Sequence, residues 1–228
     1  MKKTTLILAF LFTALTTFTF GQVVKKKNYF PLWTYHQKNV NIHGVSIGLG
    51  TFGSVPMHTN TNGIKIEIIG AGIGIPLIPE SSVSRDGSAS FTLSKKTPSE
   101  TINGISLSVF GTICDCKTNG INVGLIGNDN YQINGINGSV FMNFTQIHNG
   151  LQFSLFNESY LLNGIQIGLF NYGAKTKGLQ IGAGNSSIET KGLQIGIYNK
   201  SEKLKGFQFG IWNVNQKRKL PLINWSFK

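Results

Sequence analysis

The chain has 228 residues, a formal charge of +12 at pH 7, 28 glycines and only 13% charged residues. It is not depleted in Ile, Leu, Val and Phe, which excludes a disordered composition. Its strong positive charge favours acidic partners such as lipid headgroups or acidic polysaccharide.

Residues 1–21 have the pattern of a secretory signal peptide. Lys2 and Lys3 form a charged start, and residues 6–20 are apolar, broken only by Thr and Ala. Small or weakly polar residues place the predicted cleavage site near Gly21 and Gln22. The stretch is short for a transmembrane helix, and no later segment approaches the roughly 18 continuous apolar residues that such a helix needs. We therefore expect export and no helical membrane span.

The region before the main repeats is irregular. Residues 22–43 combine Pro with bulky apolar residues and are predicted to form an N-terminal cap, as repeat arrays need. Residues 44–101 hold two degenerate repeat units, which begin at Gly44 and Gly63. Within this region, residues 76–101 break the repeat and contain three of the six prolines, which predicts an inserted loop.

Residues 102–215 form a regular array of similar units, followed by a predicted C-terminal cap at 216–228. The spacing of the units shortens from 16 residues to a constant 14. Their shared pattern is Gly, aliphatic, Gln, aliphatic, Gly, aliphatic, aromatic, Asn, and positions are numbered below from the leading glycine. The leading glycines are Gly104, Gly120, Gly135, Gly150, Gly164, Gly178, Gly192 and Gly206.

The apolar residues of each unit recur at a period of two. In one unit Ile165, Ile167 and Leu169 occupy positions 2, 4 and 6. This period predicts a β-strand, and no window has the 3.6-residue period of an amphipathic helix. We therefore expect the aliphatic side chains to be buried on one face, with Gln166 on the opposite face and partly exposed.

Two all-β architectures fit this pattern. In a parallel β-solenoid each unit is one coil and identical residues stack, which explains why the units keep the same residues at the same positions. In an up-and-down outer-membrane β-barrel each unit is a strand and a turn, and the alternating Ile223, Trp225 and Phe227 resemble a final membrane strand. The solenoid is favoured, because a membrane strand needs more lipid-facing residues than three aliphatic positions. The barrel stays open as the alternative.

A parallel stack would place equivalent side chains in columns. The predicted repeat ladder comprises Gln166, Gln180, Gln194, Gln208, Asn171, Asn185, Asn199 and Asn213. A basic column is also predicted, because three lysines directly precede leading glycines. Such a column either solubilises the surface or binds anionic envelope lipids or polysaccharide. The candidate residues for this binding are Lys177, Lys191, Lys205, Lys175, Lys203, Lys217, Arg218 and Lys219.

The C-terminal units, within 150–213, resemble an uncharacterised family of exported bacterial surface-repeat proteins with strings of Gly-Leu-Gln-Ile-Gly-Leu-x-Asn. The ending at 212–225 is similar to the usual finish of that family. The resemblance implies export and a surface or outer-membrane location, and it brings no catalytic residues. The Gln-x-Gly-x-x-Asn core is also similar, more narrowly, to curlin repeats, which supports the idea of amide ladders.

The sequence offers no constellation for catalysis or cofactor binding. Cys114 and Cys116 form a single C-x-C pair without the second pair that zinc requires, and either a disulfide or two thiols fits them. The nine carboxylates are scattered along the chain, with no convergent acid–base pair and no nucleophile elbow. We therefore expect no enzyme activity, no metal, no cofactor and no specific nucleic-acid recognition.

The sequence thus favours a non-enzymatic, exported structural or adhesive protein of the bacterial envelope. Its expected location is the cell surface or outer membrane, with the periplasm or secretion as alternatives. Two other functions stay open. One is an outer-membrane barrel acting as a pore or scaffold, and the other is a curlin-like matrix subunit that associates with itself.

Overall fold

The structure is a computed structural model that describes residues 26–53, 57–77, 81–83 and 97–227. The predicted signal peptide, residues 1–21, lies outside the described residues. The described chain is nearly all β-structure and winds into a parallel β-solenoid of about nine turns. This confirms the favoured all-β solenoid, and the barrel alternative is wrong.

The chain forms twelve strands and one short helix within the described residues. A 3-10 helix, Ala71–Leu77, lies between the fifth and sixth strands, so the predicted inserted loop 76–101 begins inside this helix and ends inside the sixth strand. The strands are β1 (Lys27–Tyr29), β2 (Leu32–Thr34), β3 (Val40–Gly48), β4 (Phe52–Gly53), β5 (Thr59–Glu67), β6 (Glu100–Ser108), β7 (Ile113–Gly124), β8 (Gly127–Gly138), β9 (Met142–Phe153), β10 (Phe156–Ile167), β11 (Phe170–Val214) and β12 (Lys219–Ser226).

Successive coils pair in parallel, and the sheet order is β1-β3-β5-β6-β7-β8-β9-β10-β11-β12. Leading glycines pair with one another, as Gly150 does with Gly164 and Gly164 with Gly178. Among the described strands only β12 is antiparallel, and it runs back along the last coil with Trp225 opposite Phe207. Consecutive copies of the unit are therefore neighbours at a strand spacing of about 4.8 Å. An up-and-down barrel would instead require antiparallel neighbours.

The leading glycine is required by the close approach of successive coils. Gly178, Gly192 and Gly206 have φ angles of +136°, +146° and +144°, which residues with side chains rarely adopt. A Cβ atom on any of them would also overlap the carbonyl oxygen of the leading glycine one coil earlier. The periodic glycine therefore marks the point where the backbones of adjacent coils touch.

The two strand faces are reversed relative to the sequence-based expectation. The aliphatic Ile165 and Ile167 are 38% and 43% exposed, whereas Gln166 between them is fully buried. The glutamine face therefore lies inside and the aliphatic face outside. The reason is a narrow interior that one glutamine side chain spans, since the Gln166 amide donates to the Tyr172 carbonyl on the opposite wall at 3.2 Å. Inward-facing backbone carbonyls need donors, which an aliphatic side chain cannot supply.

Each coil bends where two successive residues are exposed, because a straight strand would bury one of the two. In one C-terminal unit these pairs are Ile197 with Tyr198 and Glu202 with Lys203. The bends divide the coil into sides. Positions 2 to 6 of each unit form an aliphatic side. The rest of the coil is formed by the polar and charged positions that follow the asparagine at position 8, which is Asn199 in this unit.

The regions outside the regular array pack against it. At the N-terminal end β1 and β2 both pair with β3, which begins at Val40, inside the predicted cap. Residues 81–83 lie against later coils, where Val83 is buried against Tyr131, Tyr160 and Ala174. Part of the outer surface away from the aliphatic side is therefore covered by the chain itself.

Candidate interaction surface

The glutamine ladder is a continuous chain of hydrogen bonds inside the solenoid. Each amide donates to the glutamine one coil earlier: Gln180 to Gln166 at 2.8 Å, Gln194 to Gln180 at 2.7 Å and Gln208 to Gln194 at 2.7 Å. Two of these amides also bond the opposite wall: Gln194 donates to the Lys200 carbonyl at 3.3 Å and Gln208 to the Val214 carbonyl at 3.1 Å. The predicted glutamine column therefore exists, but it is interior.

An asparagine ladder runs alongside it at the next bend. Asn171 donates to Asn185 at 2.9 Å, Asn185 to Asn199 at 2.8 Å, and Asn199 to Asn213 at 2.8 Å. Each of these donors also reaches a backbone carbonyl, as Asn185 does at Ile195 with 2.9 Å. The two ladders satisfy polar groups that would otherwise be unpaired, and they hold the outer wall in place.

This wall presents a continuous apolar surface to solvent, called here the apolar face. Over about nine turns at roughly 4.8 Å per coil, it is roughly 40 Å long. β12 extends it beyond the last coil with Ile223 and Trp225. Its exposed members on the coils include Ile47, Leu49, Ile64, Leu107, Val109, Val123, Leu125, Ile136, Phe153, Leu155, Ile165, Ile167, Leu169, Ile195, Ile197, Phe207, Phe209 and Ile211.

An aromatic groove of about 710 Å³ borders the apolar face. Phe156, Phe170 and Tyr198 occupy position 7 in the units around it, and the first two rings stack at 5.5 Å. The unit between Phe170 and Tyr198 has only Ala183 and Gly184 at positions 6 and 7. The groove exists because this one coil lacks the bulky pair that its neighbours carry.

Three of the candidate lysines form a column along one edge of the apolar face. Lys177, Lys191 and Lys205 are exposed, and the parallel register of the glutamine ladder places them one coil apart. In earlier coils the same position holds asparagines, which bond in their own ladder, as Asn163 does to Asn149 at 2.8 Å. The basic column is therefore confined to the C-terminal coils.

The other candidate basic residues lie outside that column. Lys175 is half-buried, and Lys203 is exposed on a different side of the coil. Residues 217–219 lie at the turn into β12, where Arg218 stacks on the Trp225 ring at 4.3 Å and donates to its carbonyl oxygen at 3.0 Å. The structure therefore brings together three of the eight candidates.

A buried ionic cluster lies inside the N-terminal coils, where the sequence predicts scattered carboxylates with no convergent pair. Lys65 Nζ is 2.9 Å from Glu67 Oε1 and 2.6 Å from Glu100 Oε2, and all three side chains are shielded from solvent. Nζ also donates to Thr51 Oγ1 at 2.7 Å and lies 4.3 Å from the centre of the Tyr35 ring. One signal could have indicated the burial of Lys65, though not its partners, because Lys65 occupies position 3, where later units carry the inward glutamine.

Burial controls the protonation of this cluster. Desolvation raises the pKa of Glu100, and the neighbouring Lys65 offsets only part of that rise. Burial by itself would lower the pKa of Lys65, but attraction to Glu100 and Glu67 outweighs it, so the pKa is raised. The raised pKa of Glu100 favours its uncharged form beside the Lys65–Glu67 ion pair.

Two other chemically distinctive groups are interior. His148 is fully buried in a column with Ile133 and Leu162, and desolvation lowers its pKa to about 4, so its imidazole is neutral at pH 7. Cys114 and Cys116 are paired as a buried disulfide in β7, which is one of the two alternatives that the sequence leaves open.

Within the described residues, no group of three or more His, Cys, Asp or Glu side chains is placed to hold a metal ion. No helix in this part of the chain is long and apolar enough to cross a membrane. Comparison with protein-family models, curated proteins and solved structures found no match. The fold and its surface define a polar-cored β-solenoid with an exposed apolar face, edged by lysines in its C-terminal coils.

Proposed function

We propose that this chain is an exported, non-enzymatic structural protein of the bacterial envelope that lies with its apolar face on an anionic lipid surface. The observation that carries the proposal is the exposure of the apolar face along the described stack. Soluble monomers rarely expose a continuous apolar area of more than a few hundred Å², and larger areas mark contacts with partners or membranes.

The construction of the face suits adsorption on a flat surface. The buried ladders fix the wall behind it, so side chains such as Ile195 and Ile197 stay exposed without any rearrangement. Removing apolar surface from water contributes about 25 cal/mol per Å². A stack of similar coils adds these contributions along its length.

The edges of the face favour a lipid bilayer over a second copy of the chain. Lys177, Lys191 and Lys205 follow one edge, where anionic headgroups would meet them while the aliphatic residues enter the acyl region. Tyr198 and Trp212 lie at the other edge, and both residue types concentrate at membrane interfaces. Two paired copies would cover the apolar residues but bring together two strongly basic chains.

Other features support an envelope location. Residues 1–21 have the pattern of a signal peptide, and the C-terminal units resemble a surface-repeat family. The Cys114–Cys116 disulfide fits an oxidising compartment.

Sedimentation with lipid vesicles tests the proposal. Purified protein is mixed with vesicles of phosphatidylcholine alone or of phosphatidylcholine with phosphatidylglycerol. We expect it to sediment with both, more strongly with the anionic vesicles, and less at high salt because salt screens the lysines. Changing Ile195 and Ile211 together to Ser should weaken binding to both vesicle types, because the variant has less apolar contact area.

A matched pair of lysine variants separates the basic column from general charge. Lys191→Ser should weaken binding to the anionic vesicles about five-fold, since a lysine near such a surface contributes about 1 kcal/mol. Lys200→Ser removes the same charge at position 9, away from the column, and should have a smaller effect. Failure to bind either vesicle would overturn the proposal. A stable dimer would then assign the face to a second copy, and concentration-dependent fibres would favour matrix assembly.

A further inference from the structure

The buried ionic cluster lies where the repeat array is interrupted. Lys65 and Glu67 lie at the end of β5, Glu100 begins β6, and the 3-10 helix lies in the segment between them. β5 and β6 pair in parallel, with Thr59 opposite Glu100. The two coils are therefore adjacent in space, although Lys65 and Glu100 are 35 residues apart in sequence.

We propose that Lys65 and Glu100 become joined by an amide bond between the lysine Nζ and the glutamate Cδ, with Glu67 moving the protons. Nζ is 2.6 Å from Glu100 Oε2 and 2.9 Å from Glu67 Oε1. The three side chains are 0%, 3% and 0% exposed, so bulk water does not compete for the amine or the carboxyl group. This reaction does not depend on the proposed membrane function.

The reaction balances without an external reactant. It begins with the ammonium of Lys65, the carboxylate of Glu67 and the protonated carboxyl of Glu100. Glu67 takes one proton from Nζ, and the nitrogen lone pair attacks Cδ of Glu100 to form the new C–N bond. The nitrogen then loses a second proton, which Glu67 relays to the departing hydroxyl as the C–O bond breaks. The products are a neutral amide, a protonated Glu67 and one water molecule.

The enclosure favours this reaction. Desolvation raises the pKa of Glu100 and so favours the uncharged carboxyl that an amine can attack. Among the described residues, Glu100 Oε1 has no hydrogen-bond partner, so a charged carboxylate would be poorly compensated there. Once Lys65 is acylated and Glu67 is protonated, neutral groups replace the buried Lys65–Glu67 ion pair, which removes the desolvation cost of two ions. Holding the groups in contact also gives the rate advantage of an oriented intramolecular reaction.

The bond ties together the two coils on either side of the interruption. In the regular array, successive coils are joined by a connection of a few residues. Between β5 and β6 the connection is far longer, because β5 ends at Glu67 and β6 begins at Glu100. A covalent link across this point restricts the unfolded chain in the same way as a disulfide that closes a long loop.

Intact-mass measurement on purified, denatured and reduced protein tests the bond directly. Sequencing of the N-terminus first establishes the mature mass. We expect a mass that is lower than the sequence requires by one water molecule. Digestion should yield a branched peptide that contains both Lys65 and Glu100, without cleavage after Lys65, because an acylated lysine is not a trypsin site.

Three variants assign the roles. Lys65→Arg keeps a cation but lacks the amine, and it should show the full mass. Glu67→Gln keeps both reacting groups without the proton carrier, and it should also show the full mass. Glu202→Gln changes an exposed acid and should keep the deficit. A folded wild-type protein with the full mass would overturn the proposal, whether or not the variants fold. A complete deficit in Glu67→Gln would overturn the role of Glu67.

Discussion

The interiors of the two halves of the solenoid satisfy buried polar groups in different ways. From Gly164 onward, position 3 is always glutamine, and each amide bonds its copy one coil away. In the coils of β3 to β7 the same column reads Ser46, Lys65, Ser106 and Asn122, and all four are buried. There Ser46 accepts a hydrogen bond from Thr61 at 2.9 Å, and Lys65 depends on the ionic cluster. Among the described residues, bonding between copies at this position begins only with Asn122, which donates to Asn137 at 3.0 Å.

The difference shows what exact repetition achieves in a polar core. Each glutamine amide donates to the equivalent glutamine one coil away, so every added coil brings the hydrogen-bond partner that the previous coil needs. A lysine has only donors, and it cannot bond another lysine in this way. We therefore expect the stability of the N-terminal coils to depend on individual residues, and that of the C-terminal coils to depend on whole columns of hydrogen-bonded amides.

The largest expected effect is at the ionic cluster. Lys65→Met leaves the buried Glu67 carboxylate without its cation and also prevents the proposed amide, so we expect a loss of about 3–5 kcal/mol in the free energy of unfolding. Lys177→Met, in the exposed column, should change it by no more than about 0.5 kcal/mol. Urea unfolding followed by circular dichroism measures both. Similar losses in the two variants would show that the two lysines are in similar environments.

The glutamine ladder should be the next most sensitive feature. Gln166→Ala removes the acceptor of Gln180 and a donor to Gln152, and should cost about 3 kcal/mol because buried amide groups lose their partners. Ile167→Asp, one residue along on the exposed face, should cost about 1 kcal/mol or less. Thermal and urea unfolding of the two variants give this comparison. A much larger loss for Ile167→Asp would mean that the faces are assigned wrongly.

The middle coils add a pH dependence through His148. Its pKa is about 4 in the folded chain against an ordinary value of 6.5, so the unfolded chain binds the proton more tightly. Stability should therefore be complete above pH 6.5 and fall as the pH approaches 4, with about 2 kcal/mol lost at pH 5. His148→Leu, which copies the column neighbour Leu162, should remove this part of the dependence. If the free energy of unfolding fell equally with pH in the wild type and the variant, the assignment of this dependence to His148 would be contradicted.

The smallest expected effect is at the column along the edge of the apolar face, which holds asparagines in the earlier coils and lysines in the C-terminal coils. Asn149 donates to Asn134 at 2.7 Å and accepts from Asn163 at 2.8 Å, so Asn149→Ala should cost about 1 kcal/mol. Lys191→Ala, at the equivalent position of a C-terminal coil, should cost less than about 0.5 kcal/mol, because its salt bridge to Glu189 is open to solvent. Melting temperatures that rank the two in the opposite order would show that the lysine column has a structural role.

The register of the fold could be predicted from the sequence, because identical residues at a constant spacing are what parallel stacking produces. The assignment of faces could not be. An alternation of Ile and Gln, as at Ile165, Gln166 and Ile167, identifies two faces but not which one is inside. The usual rule buries the aliphatic face, and it fails here because the amide side chains bond to one another and to inward carbonyls.

The ionic cluster was beyond prediction for a different reason. Lys65 and Glu100 are brought together by the pairing of β5 with β6 across an interruption whose length the repeat pattern does not determine. The position of Lys65 in its unit indicates burial once the glutamine column is known to be interior. The identity of its partners depends on the register across the interruption.

Cysteine accessibility tests most directly whether the amide side is inside and the aliphatic side outside. Ser201→Cys replaces a buried side chain with one of similar size, and Ile197→Cys lies at a site that is 57% exposed. The native cysteines are paired with each other, so each variant carries one free thiol. We predict that a water-soluble maleimide labels position 197 readily in the folded protein but labels position 201 only after denaturation. Protection of 197 together with ready labelling of 201 would contradict the polar-cored solenoid.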